Sequence, residues 1–258
     1  MIDIEDLKRR IEDPEATDRR EVVSKVLRAL TTGEIRVAER EPEGTWHVNA
    51  WVKQAILMHF RLTPSREMKA GEFSYFDKVG VQTGWRDGGP RVVPPTVVRE
   101  GAYVAPGAIL MPCFVNIGAY VDTGTMVDTW AAVGSCAQVG KNCHLSGGVG
   151  IGGVLEPLQA APVVIEDNVF IGARSEVVEG CIVREGAVLA MGCYLGRSTQ
   201  IYNAMTKQIT FGEIPSRAVV VPGGLTSRDG THQTYALIIK KFRDEKTDAR
   251  TALNEDLR

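Results

Sequence analysis

The sequence predicts a mainly β protein whose centre is a parallel β-helix built from six-residue units. Three observations support this fold class. An aliphatic residue recurs at every sixth position, a mostly small residue follows each aliphatic four positions later, and the two ends of the chain lack this spacing. A period of six fits neither a helix, with period 3.6, nor an ordinary half-buried strand, with period 2. Repetition at a fixed period is instead the signature of a solenoid.

The aliphatic positions form two runs that are separated by an interruption. The first run is Val115, Val121, Val127, Val133, Val139, Leu145 and Ile151, and the second is Ile165, Ile171, Val177, Val183, Leu189, Leu195 and Ile201. A looser lead-in through Val98, Val104 and Leu110 is one residue short before Val115. Fourteen aliphatics on one period are far more than chance gives at 44% apolar composition.

A unit of six with a second, small position predicts a short strand, a corner and another strand. Three such sides close one coil, and coils stack at the inter-strand spacing of about 4.8 Å. The aliphatic is expected to fill the inside of the triangle, with the small residue where the chain turns. Cys143, Cys181 and Cys193 occupy the small inward position, so we expect them to be core residues that act as small hydrophobes.

The segments on either side of the repeat predict two further domains. Residues 1–90 are expected to be a mainly helical N-terminal domain, with the β-helix over 91–205 and an inserted loop near 155–164. The helix signals are the apolar face in 3–13, a start at Asp18 that runs to Gly33, and a start at Asn49. Residues 206–258 are expected to contain strands near 219–221 and 235–239 and a terminal helix or tail.

Composition narrows the function classes. The formal net charge of −2 gives no basic field for nucleic acid or an acidic membrane surface. The first residues do not resemble a secretory signal, and no apolar run approaches the ~20 residues that span a bilayer. Five cysteines without CxxC spacing argue against a disulfide framework or a metal site. We therefore expect a cytoplasmic protein that binds no metal.

Solenoids of this kind host acyltransferases most often, but also a class of carbonic anhydrases and proteins without catalysis. The anhydrases need a three-histidine zinc site. Only His144 of the four histidines lies in the repeat, which makes that interpretation poor. A purely structural solenoid gives no reason for the long insertion near 155–164, because such loops tend to carry function.

Three strings beside the coil corners are more specific than the repeat itself. They are MVDTWAAVGSC over 126–136, HLSGGVGIGGVLEPL over 144–158 and IEDNVFIGARSEVVEG over 165–180. They strongly resemble the tetrahydrodipicolinate N-succinyltransferases, and the likeness is near-continuous from about Arg91 to Tyr202.

The resemblance implies a left-handed β-helix and transfer of a succinyl group from succinyl-CoA to the amine of ring-opened tetrahydrodipicolinate, in the diaminopimelate route to lysine. It also implies a homotrimer with active sites between subunits. Succinyl-CoA would be a co-substrate, and no cofactor would be permanently bound. Two alternatives stay open at this stage: an acetyl-CoA-dependent enzyme for the same acceptor, and a hexapeptide N- or O-acyltransferase for sugars or other amines.

By the same resemblance, Arg91 and Asp128 match substrate-binding positions, and Asp128 and Glu176 match the two acidic residues implicated in catalysis. An amine attacks a thioester only when it is deprotonated, so a carboxylate beside it can accept a proton or orient it. An arginine fork suits a dicarboxylate acceptor. Glu179 competes with Glu176 for the acidic role.

Other residues near these positions have weaker claims. Backbone N–H groups around Gly152 and Gly153 can stabilise the tetrahedral oxyanion. Trp130 is either a wall of the acceptor pocket or a packed interface aromatic. His144 can serve as a general base, although we expect a packed corner histidine. Acidic residues at other corners, namely Asp122, Glu166 and Asp167, are expected to be solvated.

Counting hexapeptides from Val115 places Asp128 in the third unit and Glu176 in the ninth. This predicts that both lie on the same triangular face, two coils and about 15 Å apart within one chain. One substrate amine cannot contact both across that distance. We therefore expect Asp128 of one subunit to meet Glu176 of a neighbour in an obligate cyclic trimer.

Overall fold

A computed structural model describes residues 2–244 of the chain and agrees with a mainly β fold. Its described part contains three α-helices, all before the repeat: α1 (Ile4–Glu12), α2 (Arg19–Thr32) and α3 (Ala50–Leu62). No helix in this part is long and apolar enough to cross a membrane.

The helix boundaries agree closely with the sequence signals, but the caps differ. Asp3 caps α1 by accepting a 3.0 Å hydrogen bond from the Asp6 amide. Asp18 and Asn49 precede α2 and α3 without a side-chain cap, and the Asn49 side chain donates instead, through Nδ2, to the Arg36 carbonyl at 2.9 Å. Gly33 ends α2 in the left-handed region at φ 75°, where glycine is unstrained.

Two short hairpins lie among these helices and were not predicted. One pairs β1 (Ala38–Arg40) with β2 (Trp46–Val48), and the other pairs β3 (Arg66–Ala70) with β4 (Phe73–Asp77). The strands are short, and β4 is exposed or half-buried along its whole length. β1 and β2 have only three residues each, too few for a period-2 alternation to be recognised, and β4 does not alternate.

The repeat folds into three parallel sheets that form the sides of one coil. Sheet I contains β7 (Tyr103–Val104), β10 (Tyr120–Val121), β13 (Gln138–Val139), β16 (Val164–Ile165), β19 (Ile182–Val183) and β24 (Glu213–Ile214). Sheet II contains β5 (Arg91–Val92), β8 (Ile109–Leu110), β11 (Met126–Val127), β14 (His144–Leu145), β17 (Phe170–Ile171), β20 (Val188–Leu189) and β25 (Ala218–Thr226). Sheet III contains β6 (Val97–Val98), β9 (Phe114–Val115), β12 (Ala132–Val133), β15 (Gly150–Ile151), β18 (Glu176–Val177) and β21 (Tyr194–Leu195).

From β5 to β18, each strand pairs with the strand three places further along the chain, and β19 and β20 then pair with β24 and β25. Met126 is opposite His144, and Val127 is opposite Leu145, so one coil is one three-sided turn of the repeat. The insertion between β15 and β16 leaves this order intact, since Gln138 pairs with Val164 across it. The register therefore continues through the loop, as the resumed spacing at Ile165 predicts.

The coil interior holds the on-period residues. Val115, Val127, Leu145, Ile171 and Leu189 are all fully buried and belong to one continuous apolar core. The small positions are buried with them. Cys143, Cys181 and Cys193 are free thiols in this core, and burial raises the pKa of Cys143 to about 12. These cysteines are therefore small core residues, as predicted.

The corners require a left-handed backbone at the third residue after each core aliphatic. Gly118, Gly124, Asn142 and Gly148 have φ between 53° and 76° at these positions. Glycine and asparagine tolerate this region, whereas a bulky side chain there is strained. Trp130 occupies the same corner position at φ 60°.

The N-terminal segment packs against sheet I. The Arg36 guanidinium lies 3.6 Å from the ring centroid of Tyr120 and donates a 3.0 Å hydrogen bond to Gln138. Glu166 is 3% exposed and accepts from Trp46 Nε1 at 3.1 Å and from Arg184 at 2.9 Å. The expectation that Glu166 is a solvated corner residue is therefore wrong, because a distant hairpin covers it.

After the coil, the chain adds further strands to sheet II. They are β22 (Gln200–Asn203), β23 (Ile209–Thr210) and β26 (Gln233–Phe242), and β26 pairs with both β22 and β25. The strands predicted near 219–221 and 235–239 lie within β25 and β26. The predicted terminal helix or tail, with Leu253 and Leu257, lies outside the described residues.

Candidate active site

Asp128 stands at the end of β11 on sheet II, one coil below His144. Its amide donates to the Leu145 carbonyl at 2.9 Å, which fixes the backbone in the ladder. Its Oδ1 accepts from the Thr129 amide at 2.6 Å and from the Thr129 hydroxyl at 3.2 Å. The side chain is 33% exposed. Because Thr129 holds Oδ1, the second oxygen, Oδ2, is the one that can meet a substrate.

His144 approaches that second oxygen from the next coil. Its Nε2 lies 3.8 Å from Asp128 Oδ2, and its ring packs edge-on against Phe170 with centroids 5.1 Å apart. Burial lowers the pKa of His144, and the nearby Asp128 opposes this shift only in part. His144 Nε2 is buried and has no hydrogen-bond partner among residues 2–244. His144 is thus a packed histidine, as expected, but it also belongs to the surroundings of Asp128.

Trp130 lies two residues beyond Asp128, at the corner that leads to sheet III. Its side chain is 67% exposed although its backbone is left-handed. A residue in that conformation costs roughly 1–2 kcal/mol relative to a right-handed one, unless it is glycine. Exposed aromatic area at a strained corner has no folding advantage. The same backbone conformation occurs at the corner residues Cys136 and Arg174, so the exposed aromatic ring, and not the backbone, is what distinguishes Trp130.

Glu176 begins β18 on sheet III, opposite Gly150. Its carboxylate folds over Gly150, and a Cβ added to Gly150 would collide with Glu176 Oε2. Because glycine has no Cβ, residue 150 leaves room for the Glu176 carboxylate. Burial raises the pKa of Glu176, and no neighbouring charge contributes to the shift. The carboxylate is consequently more basic than an ordinary glutamate.

The prediction that Asp128 and Glu176 share one face is wrong. Asp128 follows a strand of sheet II, whereas Glu176 opens a strand of sheet III. The hexapeptide count failed because each strand starts one residue before its core aliphatic, so the last residue of a unit belongs to the next face. Neither carboxylate contacts the other within the chain: Asp128 has Thr129 and His144 beside it, and burial alone shifts the pKa of Glu176.

The two glycines considered as amide donors differ in what they bind. The Gly152 amide is used in the ladder, where it donates to the Val177 carbonyl at 2.8 Å. The Gly153 amide has no backbone or side-chain acceptor in the described part of the chain. A Cβ on Gly153 would lie 2.7 Å from the Ser135 amide nitrogen, so only glycine allows this close approach. Gly153 is therefore the amide of the pair that can donate to a substrate.

Arg91 lies in β5, at the first coil of sheet II, and its side chain is exposed. It is opposite Ile109, which in turn is opposite Met126. Arg91 is thus on the same sheet as Asp128 but two coil steps from β11, or about 10 Å along the axis. The fold places Asp128, Trp130 and His144 together and leaves Arg91 and Glu176 at opposite sides of them along the coil axis.

Glu179, the competitor of Glu176, is a corner residue with a structural contact. Its carboxylate accepts from the Arg197 amide at 2.8 Å, and its carbonyl accepts from Arg197 Nε at 3.0 Å. These bonds join two successive coils. Glu176 has no comparable partner, which favours it as the acidic residue of the site.

The cavities described within residues 2–244 do not have these residues in their lining. A cavity of about 470 Å³ lies between α2 and α3 and is lined by Val23, Leu27, His59 and Leu62 among others. In residues 2–244, no group of three His, Cys, Asp or Glu side chains is arranged to hold a metal ion. The candidate residues instead form an open surface along one edge of the coil.

Comparison with known proteins gives consistent matches. The family model of the tetrahydrodipicolinate N-succinyltransferase N-terminal region matches residues 4–62, and that of the hexapeptide repeat of succinyl-transferase matches residues 162–197. A 2,3,4,5-tetrahydropyridine-2,6-dicarboxylate N-succinyltransferase of Methylococcus capsulatus is 61% identical over 93% of this chain and 90% of its own length. The enzyme of that name from Alkalilimnicola ehrlichii is 59% identical over 93% of this chain and 90% of its own length. The chain belongs to the tetrahydrodipicolinate N-succinyltransferase family.

Among solved structures, a putative 2,3,4,5-tetrahydropyridine-2-carboxylate N-succinyltransferase of Campylobacter jejuni is 14% identical, with a TM-score of 0.46. It aligns over 90% of this chain and 64% of that chain, and the family assignment does not depend on it.

For this member of the N-succinyltransferase family, sequence reasoning did not anticipate two neighbours of Asp128. Thr129 holds one carboxylate oxygen, and His144 lies beside the other. The pairing of Met126 with His144, 18 residues later, could have revealed the second, because side chains on successive coils stack in register. The fully buried Lys53 was also missed, since its contacts lie more than 100 residues away.

Proposed function

We propose that this chain transfers the succinyl group of succinyl-CoA to the amine of ring-opened tetrahydrodipicolinate, in the diaminopimelate route to lysine. The observation that carries the proposal is the 61% identity to an enzyme of that name across 90% of its length. The exposed Asp128 Oδ2 and the basic Glu176 carboxylate support acid–base chemistry at an amine. We propose further that the enzyme is cytoplasmic.

In the proposed reaction, the amine nitrogen of the acceptor attacks the thioester carbonyl carbon directly. A C–N bond forms, the C–S bond breaks, and CoA leaves as its thiol. The attacking amine must lose a proton, which a carboxylate within hydrogen-bond reach can accept. Asp128 Oδ2 is suited to orient this amine because Thr129 already restrains the other oxygen. The neutral His144 ring, with Nε2 3.8 Å from Oδ2, restricts the movement of the carboxylate by packing beside it.

Glu176 is proposed as the second acidic residue. A carboxylate with a raised pKa is a better proton acceptor near neutral pH than an ordinary glutamate. Its lack of charged neighbours leaves it free to take the proton that the amine releases. Gly153 is proposed to donate its amide to the oxyanion that forms on the thioester carbonyl.

Arg91 and Trp130 are proposed to bind the acceptor. The Arg91 guanidinium can bind a carboxylate of the dicarboxylate substrate with two parallel hydrogen bonds. Trp130 offers an exposed aromatic face against which the aliphatic chain of the acceptor can pack. We propose no residues for CoA.

The proposed site requires more than one subunit. Glu176 and Asp128 lie on adjacent sheets and belong to coils two steps apart, or about 10 Å along the axis. An open coil edge also cannot exclude water from a thioester. We therefore propose a cyclic homotrimer of left-handed β-helices, in which Asp128 of one subunit and Glu176 of its neighbour line the same cleft. The β-helix domain is proposed to span residues 91–205, and β24 and β25 extend two of its sheets past that boundary.

The function is tested with purified protein, the ring-opened acceptor, and either succinyl-CoA or acetyl-CoA. The release of free thiol is followed. We expect acceptor-dependent thiol release with succinyl-CoA and much slower release with acetyl-CoA. Release with neither donor would refute an acyltransferase, and preference for acetyl-CoA would replace the succinyl proposal with the acetyl alternative.

A further inference from the structure

Lys53 is the most unusual charged residue of the described chain. It lies in α3 and is 0% exposed, and Glu166, at 3%, is the only other charged side chain among residues 2–244 that is buried. Glu166 has guanidinium partners, whereas Lys53 has no carboxylate partner among residues 2–244. Burying an ammonium without a counter-charge is costly, so the fold must use it for something specific.

The Lys53 ammonium binds only the inserted loop. Its Nζ donates to the Pro157 carbonyl and to the Ala160 carbonyl, both at 3.0 Å. The Ala160 amide donates to the same Pro157 carbonyl at 3.0 Å. Lys53 therefore closes a turn over 157–160 from the side of the N-terminal helices.

The same loop also contains Gly153, whose amide is proposed to bind the substrate. Gly153 is the second residue after β15, and the next residue, Val154, donates its amide to the Ser135 carbonyl at 3.1 Å. Leu155 packs against the apolar core of the N-terminal helices. The outer side of the loop, at Glu156, Pro157 and Gln159, is exposed. The loop thus rests on α3 with one side and presents the other side to the surroundings.

We propose that Lys53 is a positioning residue for the acyl-transfer reaction: from α3, it holds the inserted loop, and through it the Gly153 amide, in the geometry that the substrates require. The effect of Lys53 on the reaction rests on the proposed function, whereas its effect on the position of the loop does not. A small displacement of a binding group can lower the rate by up to 100-fold, so even slight loosening of the loop is measurable.

The test compares Lys53→Met, which keeps the length of the side chain and removes the donor, with Lys53→Gln, which keeps a donor. Lys25→Met is the matched control, because Lys25 is an exposed lysine of α2 with only a surface pair to Glu21. Amide hydrogen exchange across 152–163 is measured in the intact protein, together with kcat and KM for the acceptor.

We expect exchange in 152–163 to be at least tenfold faster in Lys53→Met than in the wild type, with KM for the acceptor raised about tenfold. Exchange in the coil strands should not change. For Lys53→Gln, both the exchange rate and KM should lie between those of the wild type and of Lys53→Met. Lys25→Met should match the wild type. If Lys53→Met does not fold, Lys53→Gln alone decides between the outcomes.

Unchanged loop exchange and unchanged KM in the Lys53 variants would overturn the inference. Equal loss of exchange protection throughout the chain would also overturn it, because Lys53 would then stabilise only the fold. Failure of the proposed function gives a different result: the wild-type protein itself would release no CoA, while the loop exchange would still report on Lys53.

Discussion

His144 Nε2 lies 3.8 Å from Asp128 Oδ2, across one coil step of sheet II, while Thr129 holds the other oxygen of the same carboxylate. This arrangement indicates which of the two residues contacts the substrate and which one orients its neighbour, a question that the residue types alone leave open. Burial lowers the pKa of His144, so the imidazole is neutral at neutral pH. A neutral imidazole here is placed to orient Asp128, and Asp128 is placed to meet the substrate.

Replacing Asp128 with Asn is therefore expected to be more damaging than replacing His144 with Gln. We expect Asp128→Asn to lower kcat/KM by about 10³-fold, within the range of a lost general base. His144→Gln should lower it by about tenfold. Steady-state kinetics with size-exclusion chromatography checks both, because neither variant should change the oligomeric state. A larger loss for His144→Gln than for Asp128→Asn would make the histidine the base.

Glu176→Gln is expected to abolish most activity and yet to increase thermal stability slightly at neutral pH, the gain being small because Glu176 is exposed and only partly desolvated. Burial raises the folded-state pKa of Glu176 above its ordinary value of 4.5, so ionisation opposes folding. The protonated group favours the folded state below pH 4.5, and this contribution is lost as the pH rises through the folded-state pKa. The gain in Tm of the variant should therefore be present at pH 7 and vanish near pH 4.

Thermal scans of the two proteins across this pH range provide the measurement. A variant that is less stable than the wild type at pH 7 would show that the Glu176 carboxylate is stabilised by a contact rather than strained by burial.

Trp130→Asn is expected to weaken acceptor binding without loss of stability. Asn tolerates the left-handed corner, as Asn142 does at the same position of the repeat two six-residue units later. Little apolar burial is lost, because Trp130 is 67% exposed. We expect KM for the acceptor to rise about tenfold while Tm stays equal or increases. An unchanged KM with a weakened oligomer would show that Trp130 is an interface aromatic.

The period-six pattern predicted the three-sided coil, its core residues and its continuation past the insertion. It could do so because every inward position of the coil is buried and must therefore be apolar. It did not predict the face of Glu176, since strand boundaries depend on backbone pairing and not on the aliphatic ladder. Contacts between segments that are distant in the sequence could not be predicted from the repeat either. Glu166 is buried by a hairpin about 120 residues earlier, and no local pattern reveals that.

Glu166 connects that hairpin to the coil and should contribute strongly to stability. Glu166→Leu leaves the Trp46 indole N–H and the Glu185 amide without their acceptor, whereas Arg184 keeps its pair with Glu213. We expect a loss of about 2 kcal/mol in the free energy of unfolding, as for buried donors that lose their acceptor. Denaturant unfolding measures it. Glu185→Leu is the control, since that side chain is exposed and should change stability by less than about 0.5 kcal/mol. Equal losses of stability in Glu166→Leu and Glu185→Leu would show that Glu166 does not connect the β1–β2 hairpin to the coil.

The central claim is that Asp128 and Glu176 act together only across a subunit boundary. It is tested by subunit complementation: Asp128→Asn and Glu176→Gln proteins, each inactive alone, are mixed in equal amounts, dissociated and reassembled. Over all reassembled trimers, a wild-type Asp128 meets a wild-type Glu176 at about one site in four (one of the three sites in each mixed trimer), so about a quarter of wild-type activity should return. No activity from trimers shown by mass to contain both variants would contradict the account, because both carboxylates would then have to come from one chain.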